Sequence, residues 1–418
     1  MKELDPATFK LAPELGPINP EPSSQEIVVG DFDGRPLIGL ALKRTYRIGS
    51  RGGWEPVSAD DQETVLDGQV DYYEAEPPFC APVAHGNDVI FRPNTDVVVQ
   101  GSAYPFGSNA RRTTVGVRIG SLKRDIAVFG DRRVERGPSG ELRFSEPEPF
   151  ESMSVRYDRA YGGVDLLGFM DYESPVSEDL EDAVPHIPFD QTTPYHYPRN
   201  PAGAGFVVTL EGYDLGDLPV PNLEYDFDPV TASRLAVGTP ENWPVAPLPA
   251  GLDWFSAAWF PRLAYLGLHC LPGGFVGTVT EQQRGWAPAD LLSHPLLTAP
   301  NRGPVSSAFG QGASPGMVHP RMPLETIQRG IPVKITNMHP DQPDLVLELP
   351  REWPRARLGL SALAKTDLDP HLAAIVIRPA EQEVVMVWSA TTGRDRLYTP
   401  GQLAEMAAEV EWRREPRT

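Results

Sequence analysis

Four kinds of residue could do chemistry in this chain: a serine on a glycine elbow, histidines, carboxylates, and arginines beside glycine turns. The serine is Ser314, in Gly312-Ala313-Ser314-Pro315-Gly316. In a hydrolase elbow of this form, the residue after the serine lends its N–H to an oxyanion hole. Pro315 has no N–H to lend, and the flanks are Gly, Ser and Pro, so a loop is the favoured reading. The eight histidines are scattered, with no H-E-x-x-H or H-x-H pair among them. His186 and His196 share an acidic stretch with Asp182 and Asp190, which would allow a metal site, although solvated loop histidines are favoured. Asp131, Asp158, Asp165 and Glu224 are candidates for the paired carboxylates of glycoside hydrolysis, whose separation of roughly 5–10 Å is a spatial quantity. Asp131 and Asp158 each precede an arginine, which favours ion pairs. Gly203 and Gly205 follow Asn200-Pro201, a turn signal, and no G-x-x-x-x-G-K-[ST] occurs. No catalytic residue, metal ligand or cofactor is assigned.

The arginines point to structure. Residues 126–129 form an apolar run ended by Gly130-Asp131, with Arg132 and Arg133 directly after it. A Gly-Pro-Ser-Gly turn, a second strand-like piece at 141–144, and the closing Arg159 and Gly162-Gly163 complete the unit. The expectation is two strands crosslinked by Arg132 and Arg159 against Asp131, Asp158 or Glu224. Residues 253–268 are dense in aromatics. Trp254, Phe255 and Trp259, with Arg262, are candidate partner-binding residues if exposed, because Trp, Tyr and Arg supply much of the anchor energy at interfaces.

These residues need elements to carry them. The chain has 418 residues, 40% hydrophobic, with 46 prolines and 38 glycines. That content is above average but below the low-complexity range, and it suits a turn-rich β protein. Strands are expected at 27–29, 37–48, 97–100, 113–119, 122–129, 206–210, 332–336, 345–349, 373–377 and 384–388. The short connections near 119–122 favour an antiparallel meander. A short helix is expected at 230–236. A C-terminal helix is expected from about 400 to 413, because Thr399 and Pro400 resemble an N-cap and N1, and Leu403, Met406, Ala407 and Val410 share a helical face. The fold class is mainly β: an antiparallel β-sandwich or distorted barrel with long Pro/Gly-rich loops, few short helices and that C-terminal helix. The domain reading is an extended arm at 1–24, a β-rich body at 25–390 with a subdomain joint near 237–250, and a helical tail at 391–418. Residues 165–198 and 306–320 read as long loops.

The net charge of −20 argues against nucleic acid or an anionic membrane as partner. Two cysteines, Cys80 and Cys270, suggest no disulfide framework. The first twenty residues lack a basic start and an apolar core, and 263–279 falls short of the roughly twenty residues of a membrane helix. A cytoplasmic protein is expected.

A resemblance rests on an ordered set of short motifs. They are Gly130-Asp131-Arg132, Pro149-Phe150-Glu151-Ser152-Met153, and Tyr157-Asp158-Arg159-Ala160-Tyr161-Gly162-Gly163. Asn200-Pro201-Ala202-Gly203-Ala204-Gly205-Phe206, Pro221-Asn222-Leu223-Glu224 and Trp259-Phe260-Pro261-Arg262 follow, with residues 96–104 upstream. In this order they resemble a bacterial family of type VI secretion accessory proteins, catalogued as a domain of unknown function and encoded beside spike and tip genes. The resemblance spans about residues 26–388 and departs from the family pattern at 300–328. It implies a non-catalytic adaptor or chaperone that loads an effector or PAAR-like tip onto the spike. Its partners would be the spike protein, the tip or a tip-fused effector. The alternative is a carbohydrate-active or other hydrolase on a β scaffold. Clustered carboxylates around an aromatic-lined cleft would favour that alternative; aromatics buried as core would favour the adaptor.

Overall fold

The structure, a computed structural model, describes residues 24–32, 35–49, 53–65, 70–72, 82–85, 95–170, 195–197, 199–254, 270–271, 275–276, 330–361, 364–393 and 405–414. Its main strands are, in chain order, β1 (Ser24–Phe32), β2 (Arg35–Ile48), β3 (Trp54–Pro56), β4 (Asp96–Val99), β5 (Arg112–Ile119), β6 (Leu122–Phe129), β7 (Leu223–Glu224), β8 (Pro332–His339), β9 (Gln342–Glu348), β10 (Glu352–Ser361), β11 (Ala364–Leu368), β12 (His371–Arg378), β13 (Glu383–Gly393) and β14 (Ala407–Arg414). The fold is mainly β, in several sheets with no closed barrel.

The first sheet has the order β1-β2-β13-β12-β4, with β3 paired to β2. Its central strands are apolar runs because both faces are covered: Val97–Val99, Leu372–Ile377 and Val384–Val387 are all buried. The same is true of β2, where Leu40, Leu42, Arg44 and Tyr46 are buried on one face and Ala41, Lys43 and Thr45 on the other. The β4–β12 pair is parallel; the other pairs on this path are antiparallel. The second sheet runs β7-β6-β5-β8-β9 and contains the expected meander, β5 and β6 pairing from Arg112↔Phe129 to Ile119↔Leu122. The third is β11-β10-β14. One buried apolar cluster draws on all three, from Leu42 and Ile375 through Val117 and Ile335 to Leu358 and Val410.

The C-terminal helix is overturned. Residues 407–414 form β14, antiparallel to β10 from Gly359↔Ala407 to Glu352↔Arg414. Met406, Ala408 and Val410 are buried at alternate positions. Pairing with β10 therefore decided the segment, and the three-to-four spacing that suggested a helix hid a period of two. The helix expected at 230–236 is a single 3-10 turn, Ala232–Arg234. Residues 206–210 form no strand; Val207 makes only an isolated bridge to Ala236. The lone α-helix among the described residues is α1 (Leu166–Met170). No helix of the described residues is long and apolar enough to cross a membrane. The loop expected at 306–320 and residues 1–23 of the arm expected at 1–24 lie outside the described residues, and Ser24 opens β1. Within the joint expected near 237–250, Trp243 and Ala246 are buried in the common core.

Candidate functional site

The motif residues converge at the end of β6, where the chain leaves the second sheet and irregular backbone must find other hydrogen-bond partners. β7 pairs with β6 through Leu223↔Val128 and Glu224↔Ala127. The Asn222 amide nitrogen donates to the Phe129 carbonyl at 3.2 Å and to Asp131 Oδ1 at 3.0 Å, bridging the strand end and the turn. Arg132 Nη2 donates to the Pro221 carbonyl at 2.6 Å, and its Nη1 reaches Glu224 Oε1 at 3.4 Å. Both side chains are buried, at 6% and 7% exposure. The other Glu224 oxygen accepts the Val230 N–H at 2.5 Å. The Phe129 and Phe144 rings lie 4.2 and 4.7 Å from the Arg132 guanidinium. Burial pulls the Arg132 pKa below its ordinary value, and Glu224 opposes that shift. Gly130 is a glycine because a Cβ there would collide with the Glu148 carbonyl.

Arg159 departs from the expectation. It is exposed, and its Nη1 meets the Asn222 side-chain oxygen at 3.4 Å, not a carboxylate. The neighbouring Asp158 is held by Arg156 at 3.2 and 2.5 Å. The reason is local. Tyr157–Arg159 is a 3-10 turn whose Tyr157 points into the core, which leaves Arg159 outside.

The glycine-rich motifs form a second layer. Buried Asn200 donates to the Tyr157 and Tyr161 carbonyls at 2.7 and 3.0 Å, and its own carbonyl accepts the Gly163 N–H at 2.8 Å. Tyr161–Gly162 pairs in parallel with Ala204–Gly205. Gly162, Gly163 and Gly205 all have positive φ, and an added Cβ on Gly162 would strike the Asn200 carbonyl. Pro201 is buried beside them. Around this layer Tyr161, Tyr197, Phe206 and Trp243 pack edge-to-face or stacked, with centroids 5.2–6.5 Å apart.

The carboxylates proposed for hydrolysis are all engaged. Asp165 is buried and accepts from the Gly168 N–H, the Val208 N–H and the Tyr213 hydroxyl at 3.1, 2.7 and 2.5 Å. Asp131, Asp158 and Glu224 have the partners given above. One serine–histidine contact occurs, Ser389 Oγ to His371 Nε2 at 3.2 Å. These residues are cross-strand neighbours on β13 and β12, and Ser389 is buried. Among the described residues, no cluster of His, Cys, Asp and Glu could hold a metal ion. Ser314, His186, Asp182 and Asp190 lie outside the described residues. Of the partner-binding candidates, Trp254 is 3% exposed and belongs to the core, so it presents no surface. Phe255, Trp259 and Arg262 lie outside the described residues.

Two features escaped the sequence reading. The first is a partly buried ion network on the first sheet. Lys43 meets Glu63 at 2.8 Å, Arg378 contacts both Glu63 and Glu383, and Arg47 meets Glu383 at 2.7 Å. Burial alone would raise the Glu63 pKa, but Lys43 and Arg378 hold it below the usual glutamate range. The second is the outer face of the third sheet. Arg355 and Arg357 on β10 stand between Asp367 and Asp369 on one side and Glu409 and Glu411 on the other, lining a cleft of about 540 Å³. Charges spaced two apart in three separate stretches were the signal that could have found it.

The chain belongs to the family described as an uncharacterized protein conserved in bacteria (DUF2169), whose model matches residues 33–389. No curated protein and no solved structure matches it.

Proposed function

We propose that this member of the bacterial family is a non-catalytic adaptor that loads an effector or PAAR-like tip onto a type VI secretion spike. The observation that supports this reading best is how the ordered motif residues are used. Arg132, Asn200, Asn222 and Glu224 tie irregular backbone to strand ends, so that the motif residues build a hydrogen-bonded body. Such a body suits holding a protein partner by shape and charge over a large surface. A specific complex of this kind buries at least about 1,000 Å² and relies on a few aromatic or arginine anchors. With Trp254 in the core, Phe255, Trp259 and Arg262 remain the anchor candidates from that aromatic stretch. The acidic balance would speed association and make it salt-sensitive.

The test is co-expression with neighbouring spike, tip and effector genes, followed by pull-down, and a deletion strain assayed for secretion. The adaptor reading requires co-purification with at least one of those proteins. It also requires that deletion block delivery of the cognate effector while the sheath still contracts. Binding to none of them, with delivery intact in the deletion strain, would refute it.

A further inference from the structure

The third sheet has one buried face and one solvent face. Ala356, Leu358, Leu368, Ala408 and Val410 point into the core, while Arg355, Arg357, Asp367, Asp369, Glu411 and Arg413 are exposed. Register arranges the outer charges in rows across the strands. In the first row, Arg357 on β10 is opposite Asp367 on β11 and Glu409 on β14. That row is closed: Arg357 Nε meets Asp367 Oδ1 at 2.9 Å, and Lys365 takes Glu409.

The next row is open. The β10–β11 ladder stops at Ala356↔Leu368, and the chain turns away through Asp369-Pro370. The Trp353 indole N–H is bonded to the Pro370 carbonyl at 3.1 Å, which holds the divergence in place. Glu411, opposite Arg355 in register, is held by Arg413 at 3.0 Å, and the charges of Arg355 and Arg357 also act on it. Arg355 and Asp369 both line the cleft, and among the described residues neither makes an ion pair or a side-chain hydrogen bond. Among the described residues, a guanidinium beyond ion-pair distance of any carboxylate and a carboxylate beyond that distance of any cation therefore share one polar cleft beside an indole. Its volume lies in the range that holds a small ligand or a few residues of chain.

We propose that this cleft is a docking site for an extended segment of a protein partner that carries one acidic and one basic side chain. The acidic side chain is received by Arg355, which offers paired N–H donors to a carboxylate. The basic side chain is received by Asp369. A peptide fits better than a small zwitterion, because the cleft is lined mostly by charged side chains on the solvent face of three strands. Its third wall, β14, lies beyond residue 389, outside the stretch matched by the family model. The proposal rests on the adaptor reading only for which protein supplies the segment.

The probe is a random dodecapeptide library displayed on phage, selected on the full chain and counter-selected on the Arg355→Glu, Asp369→Lys double variant. Enriched peptides should carry at least one acidic and one basic residue. A synthetic copy of such a peptide should bind the native chain and lose at least about tenfold in affinity to each single reversal. The melting temperature should not change. If either reversal melts lower, Arg355→Gln and Asp369→Asn take its place in the same titration. Absence of enriched sequences, or peptides that bind the double variant equally well, would overturn the site. Peptide binding that depends on Arg355 and Asp369, in a chain that captures no spike or tip protein, would uphold the cleft while removing the adaptor reading.

Discussion

Arg132 and Arg44 are both held out of water against a glutamate, one among the loops after β6 and the other between two sheets. Arg132 is embedded in hydrogen bonds: Pro221 takes one nitrogen, and Glu224 shares itself between the guanidinium and the Val230 N–H. Arg44 reaches Glu352 on β10 at 3.0 Å and lies against rings, with Trp412 at 4.3 Å and Tyr46 at 5.6 Å. Trp353 and Trp412 extend that box by packing edge-on against Trp388. The difference follows from what the surrounding backbone lacks. Strand β2 is satisfied by β1 and β13, and β10 by β11 and β14, through their ladders, so the Arg44 box between the two sheets adds packing and charge. The segments after β6 have only ladders of two or three residue pairs, so Arg132, Asn222 and Glu224 supply the partners that the irregular backbone between them lacks.

The largest effect is expected at Glu224. Glu224→Ala would leave Arg132 buried without its charge partner and the Val230 N–H without an acceptor, at a cost of about 3–5 kcal/mol. Glu352→Ala should cost less, roughly 1–3 kcal/mol, because among the described residues Glu352 accepts no backbone N–H that would lose its partner. Urea unfolding of both variants gives the order, and a reversed order would break the comparison. Double replacements sharpen it. Arg44→Met with Glu352→Leu should cost less than Glu352→Ala alone, since apolar groups can take over the packing of a buried pair. Arg132→Met with Glu224→Leu should stay costly, because the Pro221 carbonyl and the Val230 N–H would still lose their partners.

The two regions were also unequally legible. Arg132 was readable because glycine turns flank it in a short stretch and an apolar run announces the strand before it. Arg44 stood out only as a charge within β2. Its partners come from β10 and β14, and neither strand was foreseen. In β10, Pro354 and the alternating arginines concealed a strand; the proline is tolerated because it lies outside the stretch of β10 that pairs with β11. In β14, a period of two was mistaken for a helical face. By contrast, β4, β12 and β13 are apolar runs covered on both sides and were found from sequence. Arg159 shows the remaining gap. Its sequence neighbours suggested an ion pair, but a 3-10 turn decides which way it points.

A pH titration probes the comparison on a third ion cluster, the network around Glu63. Its folded pKa is depressed below the unfolded value of about 4.3. The sign is that of a paired carboxylate: the stabilisation is fully present above the unfolded pKa and is lost as pH falls through the folded one. Melting temperature should therefore fall more steeply with acid below about pH 4.3 in the native chain than in Glu63→Gln. Parallel curves would mean that Lys43 and Arg378 are held by packing alone.

The smallest effect is expected on the solvent face of the third sheet. Arg357 and Asp367 form a well-shaped pair at 2.9 Å, but their side chains are 62% and 85% exposed. Exposed pairs of this kind contribute about 0–1 kcal/mol, because water screens the charges and two long side chains must be held still. Arg357→Ala should accordingly leave the urea midpoint almost unchanged, and added salt should erase what difference remains. This result separates two roles for the charge rows. If Arg357→Ala cost more than about 2 kcal/mol, the rows would be pinning strand register, and the open row at Arg355 and Asp369 would be a by-product of that pinning. A negligible cost leaves the face free of folding duty, so that a loss of peptide binding on Arg355→Glu would report the cleft and not the sheet beneath it.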